Sequence, residues 1–303
     1  MENSNSNSKA DLHIHSKYSG MTRYIGLTFP DSVEEPKNIA KYAVKNGMDI
    51  IAVTDHNSIK GGIETKKYEN EYNIKVIVGS EISTIDGELI GIYLNEKIPK
   101  HLSVEETIEK IHEQGGLAIA PHPYSPICHA LGDKIVNLKL DGVEVFNAYH
   151  RDGIINNIAL TKVVNNYHKR PVAFLGNSDG HIAKMIGNGY TIFEGDNEED
   201  LYYAIKNRKT TFGGKPTPLW EVILWSYKMM YGYEKAIVKS FASKNKVLPK
   251  IEIPFHKKII AMVGGFVYMA TPLPIITGLI GNMYLTAKAK NKLKEVEKNS
   301  SDF

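Results

Sequence analysis

Imidazole and carboxylate side chains recur at the ends of short apolar runs in the first 181 residues of this chain. They lie in five segments: Asp11-Leu12-His13-Ile14-His15, Thr54-Asp55-His56-Asn57, Gly79-Ser80-Glu81, Pro121-His122-Pro123 and Asn177-Ser178-Asp179-Gly180-His181. Ligands that come from several strand ends converge on one face of a barrel, where divalent cations can be bound and used for hydrolysis. The spacing therefore predicts a metal centre.

The same part of the chain alternates strand-like runs with helical patterns. We expect a helix over 36–46, a second helix that begins with the capping box of Ser103 and Glu106, and strands at 10–15, 49–54, 74–78, 117–120, 142–146, 172–175 and 190–193. Such alternation predicts parallel βα units. About seven strands with His and Asp residues at their ends favour a closed or nearly closed α/β barrel over an open sheet.

Length and composition limit the possibilities further. A chain of 303 residues can form one barrel and an appendage. Its one cysteine, Cys128, excludes an internal disulfide, so we expect histidines and carboxylates to hold any metal. Residues 1–9 are rich in Asn and Ser and lack the apolar stretch of a secretory signal, which predicts a disordered N-terminus and a cytoplasmic protein.

The two parts of the chain differ in charge. Residues 219–303 contain 13 Lys, no Arg and 6 acidic residues, a balance of +7, which leaves residues 1–218 at −4 of the net +3. An acidic body argues against duplex nucleic acid as a partner. A basic tail beside apolar sequence indicates contact with an anionic membrane surface.

The tail contains an apolar segment, 259–287, which has no charged residue in 29 positions and lies between lysine clusters. A bilayer crossing needs about 20 such residues, but Pro272 and Pro274 interrupt the segment and lysines flank both ends. We therefore expect two short helices, 259–270 and 275–287, that form a hairpin in the inner face of the cell membrane. The alternative is a buried helical pair packed on the barrel or across a dimer.

The five segments, in this order, resemble the signatures of the polymerase and histidinol phosphatase (PHP) superfamily over about residues 10–215. The resemblance implies a distorted (β/α)7 barrel over 10–218, followed by a helical, apolar and basic extension over 219–303. It also implies a centre of two or three divalent ions, manganese, zinc or iron, that hydrolyses phosphate esters.

The resemblance also implies a role for each donor. A metal-activated water would be held beside Glu81 and Asp179. The ligands would be His13, His15, Glu81 and Asp179 for one ion, Glu81 and His122 for a second, and His56 and His181 for a third.

This chain departs from the family pattern at two ligand positions. The Asp expected soon after His15 is missing, and Asp31 takes its place if residues 20–30 are an insertion. Many relatives carry a His where this chain has Glu88. Glu88 is either an exposed turn residue or a ligand that makes the second site richer in oxygen, which favours manganese or iron over zinc.

Phosphate recognition requires positive charge at the mouth of such a site. Lys17, Arg23 and Arg151 are the candidates, with solvated loop cations as the alternative, and we expect Asn147 to face the pocket. Two neighbouring residues receive secondary predictions. We expect Asp55 to orient His56, and His150 to lie at the surface.

The sequence thus predicts a metal-dependent phosphoesterase attached to a membrane, with a small phosphorylated metabolite, a nucleotide or a phosphorylated lipid head group as substrate. Two alternatives remain. The chain is a catalytically weak metal-binding scaffold or sensor at the membrane, or it is a nuclease that acts on single strands.

Overall fold

The computed structural model describes residues 7–24, 27–242 and 255–301. The strands are β1 Asn7–Ile14, β2 Met21–Tyr24, β3 Leu27–Pro30, β4 Ile50–Val53, β5 Lys75–Ser83, β6 Glu88–Ile92, β7 Leu117–Ala120, β8 Gly142–Asn147, β9 Ala173–Asn177, β10 Gly189–Glu194 and β11 Thr210–Gly214. The helices are α1 Pro36–Lys45, α2 Lys60–Lys66, α3 Glu69–Tyr72, α4 Val104–Glu113, α5 Ile154–Asn166, α6 Glu198–Lys206, α7 Leu219–Ala242, α8 Phe255–Ala270 and α9 Leu273–Ser301, with a 3₁₀ turn at Gly132–Val136.

The described strands, apart from the β2–β3 hairpin, form one sheet in the order β11-β10-β1-β4-β5-β6-β7-β8-β9. Strands β1, β4 and β5 are parallel, as are β7, β8 and β9. The last strand returns to the first, because the Leu12 N–H donates to Asn177 Oδ1 at 2.9 Å and Ile14 forms a bridge with Gly180. The predicted α/β barrel with a helical C-terminal part is confirmed.

Strand β6 runs antiparallel between β5 and β7, in contrast to the parallel units that the sequence predicts. A tight turn at residues 84–87 reverses the chain, and the Thr84 hydroxyl lies 3.0 Å from the N–H of Gly87. The Asp86-Gly87 pair is a turn signal that joins two strands into a hairpin. The first residue of β6 therefore lies at the same rim as the last residues of its neighbours.

The N-terminal prediction needs a correction at residues 7–9, which are the first three positions of β1 rather than part of a disordered end. They pair antiparallel with β10, where Asn7 lies opposite Glu194 and Lys9 opposite Ile192. The backbone hydrogen bonds between β1 and β10 stabilise residues whose composition alone indicates disorder.

The barrel is held by strands that are buried on both faces and by helices with one apolar face. All four residues of β4, Ile50-Ile51-Ala52-Val53, are fully buried. In α4 the Ser103 hydroxyl accepts the N–H of Glu106, as the capping box predicts, and Val104, Ile108 and Ile111 are buried. This frame fixes the strand ends from which the polar side chains project.

The three C-terminal helices differ in how they pack. Helix α7 lies on the barrel, where Lys228 Nζ is 2.7 Å from Glu34 Oε2 and Asn188 Nδ2 donates to Glu221 Oε2 at 2.7 Å. The second half of α9 packs on the barrel core through Ala289, which is buried, and through Leu293.

Helix α8 and the first half of α9 expose large apolar side chains, including Ile260, Val263, Phe266, Ile280 and Met283. These side chains are therefore not buried against the barrel, in contrast to the alternative of a helical pair packed on it. The predicted break lies at Thr271 and Pro272, and the two helices are bent by 82°. No single described helix is long and apolar enough to cross a bilayer, although α8 and α9 together meet the criteria of length and composition.

Candidate metal centre

The nine side chains predicted as metal ligands lie at one rim of the barrel, in one connected cluster. Their positions follow the topology: His13 is in β1 and His15 just after it, Asp31 follows β3, His56 follows β4, Glu81 is in β5, Glu88 begins β6, His122 follows β7, and Asp179 and His181 follow β9. Seven of these come from the ends of barrel strands that point the same way, Asp31 comes from the β2–β3 hairpin, and Glu88 reaches the rim because β6 is reversed.

Four donors converge at the centre of this cluster. His13 Nε2 and His15 Nε2 are 3.1 Å apart. Glu81 Oε2 lies 3.3 Å from the first and 3.4 Å from the second, and Asp179 Oδ1 lies 3.6 and 3.4 Å from them. Two imidazole nitrogens that face each other between two carboxylates are arranged for one cation.

Glu81 joins this group to a second one. Its Oε2 faces His13 and His15, whereas its Oε1 lies 3.2 Å from His122 Nε2. A carboxylate whose two oxygens face different sets of imidazoles can bridge two cations.

Asp31 organises a third group. Its Oδ2 lies 3.4 Å from His181 Nε2, 3.6 Å from His15 Nδ1 and 4.0 Å from His56 Nε2. The His56 side chain is 29% exposed, which makes it the most open member of the group. Asp31, which was predicted to replace the Asp expected soon after His15, thus lies among the histidines.

The pKa values of these groups follow from burial and from one another. Burial lowers the pKa of His122 and His181, but Glu81 beside the first and Asp31 beside the second raise them to about 9. Burial and the charge of His181 lower the pKa of His15 to about 4. Although burial opposes it, the facing imidazoles hold the pKa of Glu81 well below its usual value.

Divalent cations fit this donor set. Asp31 Oδ2 and His122 Nδ1 are buried atoms with no hydrogen-bond partner in the described part of the chain. His122 and Asp179 also have positive φ angles of 25° and 53°, a backbone strain that is concentrated at functional sites. Imidazole and carboxylate ligands suit zinc, iron and manganese.

Glu144 forms hydrogen bonds with two of the metal-ligand candidates and was not predicted from the sequence. Its Oε1 accepts from His13 Nδ1 at 2.8 Å, and its Oε2 accepts from the backbone N–H of His122 at 2.8 Å. A charged residue within the buried strand Val143-Glu144-Val145 was the available signal, since Glu is almost never fully buried without a partner.

Two expectations about neighbouring residues are wrong. Asp55 does not orient His56, because its carboxylate accepts from the backbone and the hydroxyl of Ser16, at 2.6 and 2.7 Å. His150 is buried rather than at the surface, with its ring centroid 6.3 Å from that of His122. Burial and the charge of His122 lower the pKa of His150 to about 4, so its imidazole is neutral.

The predicted substrate residues have different surroundings. Asn147 Nδ2 lies 3.2 Å from Asp179 Oδ2, and it therefore positions a metal-ligand candidate. Lys17 forms an ion pair with Glu35 at 2.6 Å, so its positive charge is already compensated. Arg23 lies in β2, and its side chain is outside the described part of the structure.

Arg151 lies in the loop after β8 and contacts α9. Its Nε and Nη2 donate to Asn282 Oδ1 at 3.1 and 2.9 Å, and its Nη1 is buried without a partner among the described residues. The same loop carries Tyr149, whose ring is 5.6 Å from the guanidinium. The helical extension therefore reaches the rim of the site.

Helix α7 forms another part of the wall. Trp225 Nε1 donates to the carbonyl of Asp31 at 3.1 Å, and its ring centroid is 4.8 Å from that of His181. The sequence predicts helix α7 but not its contact with two of the metal-ligand candidates. The position of a tryptophan in an aromatic helix does not indicate which residues its ring will contact.

Comparison with known proteins gives three results. A family model described as PHP-associated matches residues 157–210. The uncharacterized protein MJ1587 of Methanocaldococcus jannaschii is 70% identical over 156 residues, which are 52% of this chain and 91% of that protein. A 5'-3' exoribonuclease of Haemophilus influenzae is 26% identical over 205 residues, 65% of this chain and 64% of that enzyme.

The fold has counterparts among solved structures. A two-domain protein from Bacteroides vulgatus that contains a predicted PHP-like metal-dependent phosphoesterase superposes with a TM-score of 0.56 at 18% identity, over 69% of this chain and 65% of that one. The five ordered signatures, the barrel fold and the match to the PHP-associated model all indicate the same family. The chain therefore belongs to the polymerase and histidinol phosphatase superfamily.

Proposed function

We propose that this protein is a metal-dependent phosphoesterase that hydrolyses a phosphate ester with water. The observation that supports the proposal is Glu81, whose two oxygens lie between His13 and His15 on one side and His122 on the other. Cations bound there would lower the pKa of water and neutralise charge on the phosphoryl oxygens.

The chain's own residues would hold and orient the reacting groups. Glu144 keeps His13 in the tautomer whose Nε2 faces the centre, because Nδ1 donates to the carboxylate. Asn147 holds Asp179. His150 Nε2 is buried without a partner among the described residues and is available to bond a substrate oxygen. The Nη1 of Arg151, which has no partner in the described part of the chain, is our candidate for a phosphate contact.

The test of activity uses protein loaded with manganese, zinc or iron and a panel of p-nitrophenyl phosphate, nucleotides and sugar phosphates. We expect hydrolysis that Asp179→Asn abolishes and that Asp196→Asn, at an exposed carboxylate, leaves unchanged. If the wild-type protein binds metal but is as inert as Asp179→Asn on every ester, the alternative of a scaffold or sensor is correct.

The similarity to the Haemophilus influenzae exoribonuclease favours a nuclease as second candidate. A nuclease would degrade single-stranded RNA faster than it cleaves the small esters, and its binding would weaken steeply with salt. A phosphatase of small molecules would show the opposite order of rates, with little dependence on salt.

Membrane attachment through α8 and α9 is also part of the proposal. Val263, Phe266 and Ile280 are exposed by 60, 69 and 61%, and lysines follow at 288 and 290. Apolar helices flanked by lysines bind interfaces that contain anionic lipid. A substrate on a lipid head group would then lie close to the rim of the barrel.

Flotation with vesicles of phosphatidylglycerol and phosphatidylcholine tests the attachment. We expect the full chain to float with the vesicles and a triple variant, Val263→Glu, Phe266→Glu and Ile280→Glu, to stay behind. The matched control places the same charges on exposed apolar residues of the barrel, at Ile63, Ile85 and Val164. If both triple variants float equally, α8 and α9 do not bind the membrane.

A further inference from the structure

Cys128, the one cysteine of the chain, lies beside the second group of metal-ligand candidates. One donor atom from each of Glu88, His122 and Cys128 lies within 4.8 Å of the other two. Donor atoms on one tetrahedral zinc ion lie about 3.3–3.6 Å apart, as the lengths of Zn–N and Zn–S bonds require. Movements of about 1 Å or less in each side chain would bring all three donors onto a single cation.

The loop that carries Cys128 is fixed to the barrel on both sides of that residue. The N–H of Glu88 donates to the carbonyl of His129 at 2.7 Å, which ties the loop to the first residue of β6. On the other side, the N–H of Ser125 donates to the carbonyl of His122 at 2.8 Å, and the N–H of Cys128 donates to the Ser125 hydroxyl at 3.3 Å. The thiol is thus held near both partners by the backbone.

His122 still has capacity for a ligand role. Its side chain is 3% exposed, Nε2 faces Glu81, and Nδ1 is a buried atom without a hydrogen-bond partner in the described part of the chain. A buried polar atom with no partner costs free energy unless something satisfies it. This orphaned nitrogen is an observation independent of the cysteine.

We propose that Cys128 Sγ is a ligand of the cation that Glu88 and His122 also hold, as a thiolate in a site of mixed oxygen, nitrogen and sulfur donors. The inference deepens the proposed function and rests on it. A soft sulfur donor in this position selects zinc or ferrous iron over manganese. It also revises the expectation that histidines and carboxylates alone hold the metal.

The test is the absorption spectrum of the full-length protein titrated with cobalt(II) chloride, with a phosphine as the only reductant. A thiolate bound to cobalt gives a near-ultraviolet charge-transfer band, and this chain has one sulfhydryl to produce it. We expect the band in the wild-type protein and in His129→Asn, a matched variant of the same loop, and its loss in Cys128→Ser. The weaker visible bands of cobalt should persist in Cys128→Ser at the remaining donors.

A second measurement does not depend on a variant that folds. Zinc should slow the alkylation of Cys128 by iodoacetamide about tenfold or more, and a chelator should restore the rate. Visible cobalt bands without the charge-transfer band in the wild-type protein, or alkylation that zinc does not slow, would overturn the proposal. An active enzyme without the band refutes the sulfur ligand alone, whereas an inert protein with the band refutes the hydrolytic function alone.

Discussion

Glu144 determines how the first ligands of the candidate centre are oriented. It accepts from His13 Nδ1 and from the backbone of His122, and Asn177 Nδ2 also donates to it at 2.8 Å. A carboxylate behind a metal-binding histidine fixes the ring and raises its basicity. The strength of metal binding should therefore depend on a residue that no signature contains.

Replacing Glu144 by Gln should lower the affinity for zinc or manganese by about 10- to 100-fold. The amide keeps the shape of the side chain but turns an N–H group toward groups that donate hydrogen bonds to the carboxylate. Competition with a chromophoric chelator measures the affinity. Glu113→Gln, at the exposed end of α4, is the control and should bind metal as the wild type does. Equal affinities for both variants would mean that Glu144 only fills space.

Metal binding should depend on pH because it competes with protons on the imidazoles. The carboxylates beside His122 and His181 overcome burial and raise their pKa values to about 9, so both are protonated at pH 7 in the metal-free protein. Against the effect of burial, the pKa of His13 is also raised well above its ordinary value by Asp179, Glu144 and Glu81. Binding of cations should therefore release protons at pH 7 from these three imidazoles, and affinity should rise as pH approaches 9. Calorimetric titration in buffers of different ionisation enthalpy counts the protons.

The same pKa values predict the direction in which the stability of the metal-free protein changes with pH. A histidine whose pKa is higher in the folded state stabilises the fold below the unfolded pKa of about 6.5. That contribution is lost as pH rises through about 9. The free energy of unfolding in chelator should therefore fall from pH 6.5 to pH 9, and a rise over this range would contradict the pKa values.

At the residue scale, the donors that belong to the five motifs could be predicted from the sequence, whereas the donors outside those motifs could not. His13, Glu81 and Asp179 are named by spacing and order, and the structure places them together. Cys128 and His150 come from loops whose path a single sequence does not reveal. In the structure both lie beside His122, in the loops that follow β7 and β8.

At the scale of elements, β6 and α7 decide which side chains reach the rim. The reversal of β6 brings Glu88 to the rim, and the alternation of strands and helices in the sequence predicts parallel units without this strand. Helix α7 was predicted from its apolar character, but that pattern suits a membrane interface and the flank of a barrel equally. The contacts of Trp225, Lys228 and Glu221 with the barrel decide between them.

Trp225→Ala should lower the free energy of unfolding by about 2 kcal/mol, since the half-buried ring packs on His181 and donates to Asp31. Urea denaturation of the metal-free protein measures the loss. Trp220 is the matched control, because it is 52% exposed in the same helix and should change stability by less than about 0.5 kcal/mol when replaced by Ala. Similar losses for both variants would show that α7 does not dock through Trp225.

At the scale of the whole molecule, the barrel and the extension are less separate than their compositions indicate. Charge and hydropathy divide the chain near residue 218, yet Glu221 and Lys228 of α7 bond to Asn188 and Glu34 of the barrel. Helix α9 adds Ala289 to the core. Composition reports which residues belong to a segment, but it contains no information about the surface on which that segment packs.

A chain that ends at residue 218 should therefore be less stable than the full protein. It would lose the bonds of Glu221 and Lys228 to the barrel and would expose the surface that α7 and α9 cover. Thermal unfolding in chelator should show a melting temperature several degrees lower, about 2–4 °C for each kcal/mol lost. An unchanged melting temperature would mean that the barrel is an independent unit.

The central claim is that donors far apart in the sequence bind divalent cations together at one rim of the barrel. Anomalous diffraction from crystals grown with manganese or zinc, recorded at the absorption edge of the metal, tests it most directly. We expect anomalous peaks within about 2.0–2.3 Å of His13, Glu81 and Asp179 donor atoms. Peaks confined to surface histidines, with no density between Glu81 and its imidazole neighbours, would contradict the claim.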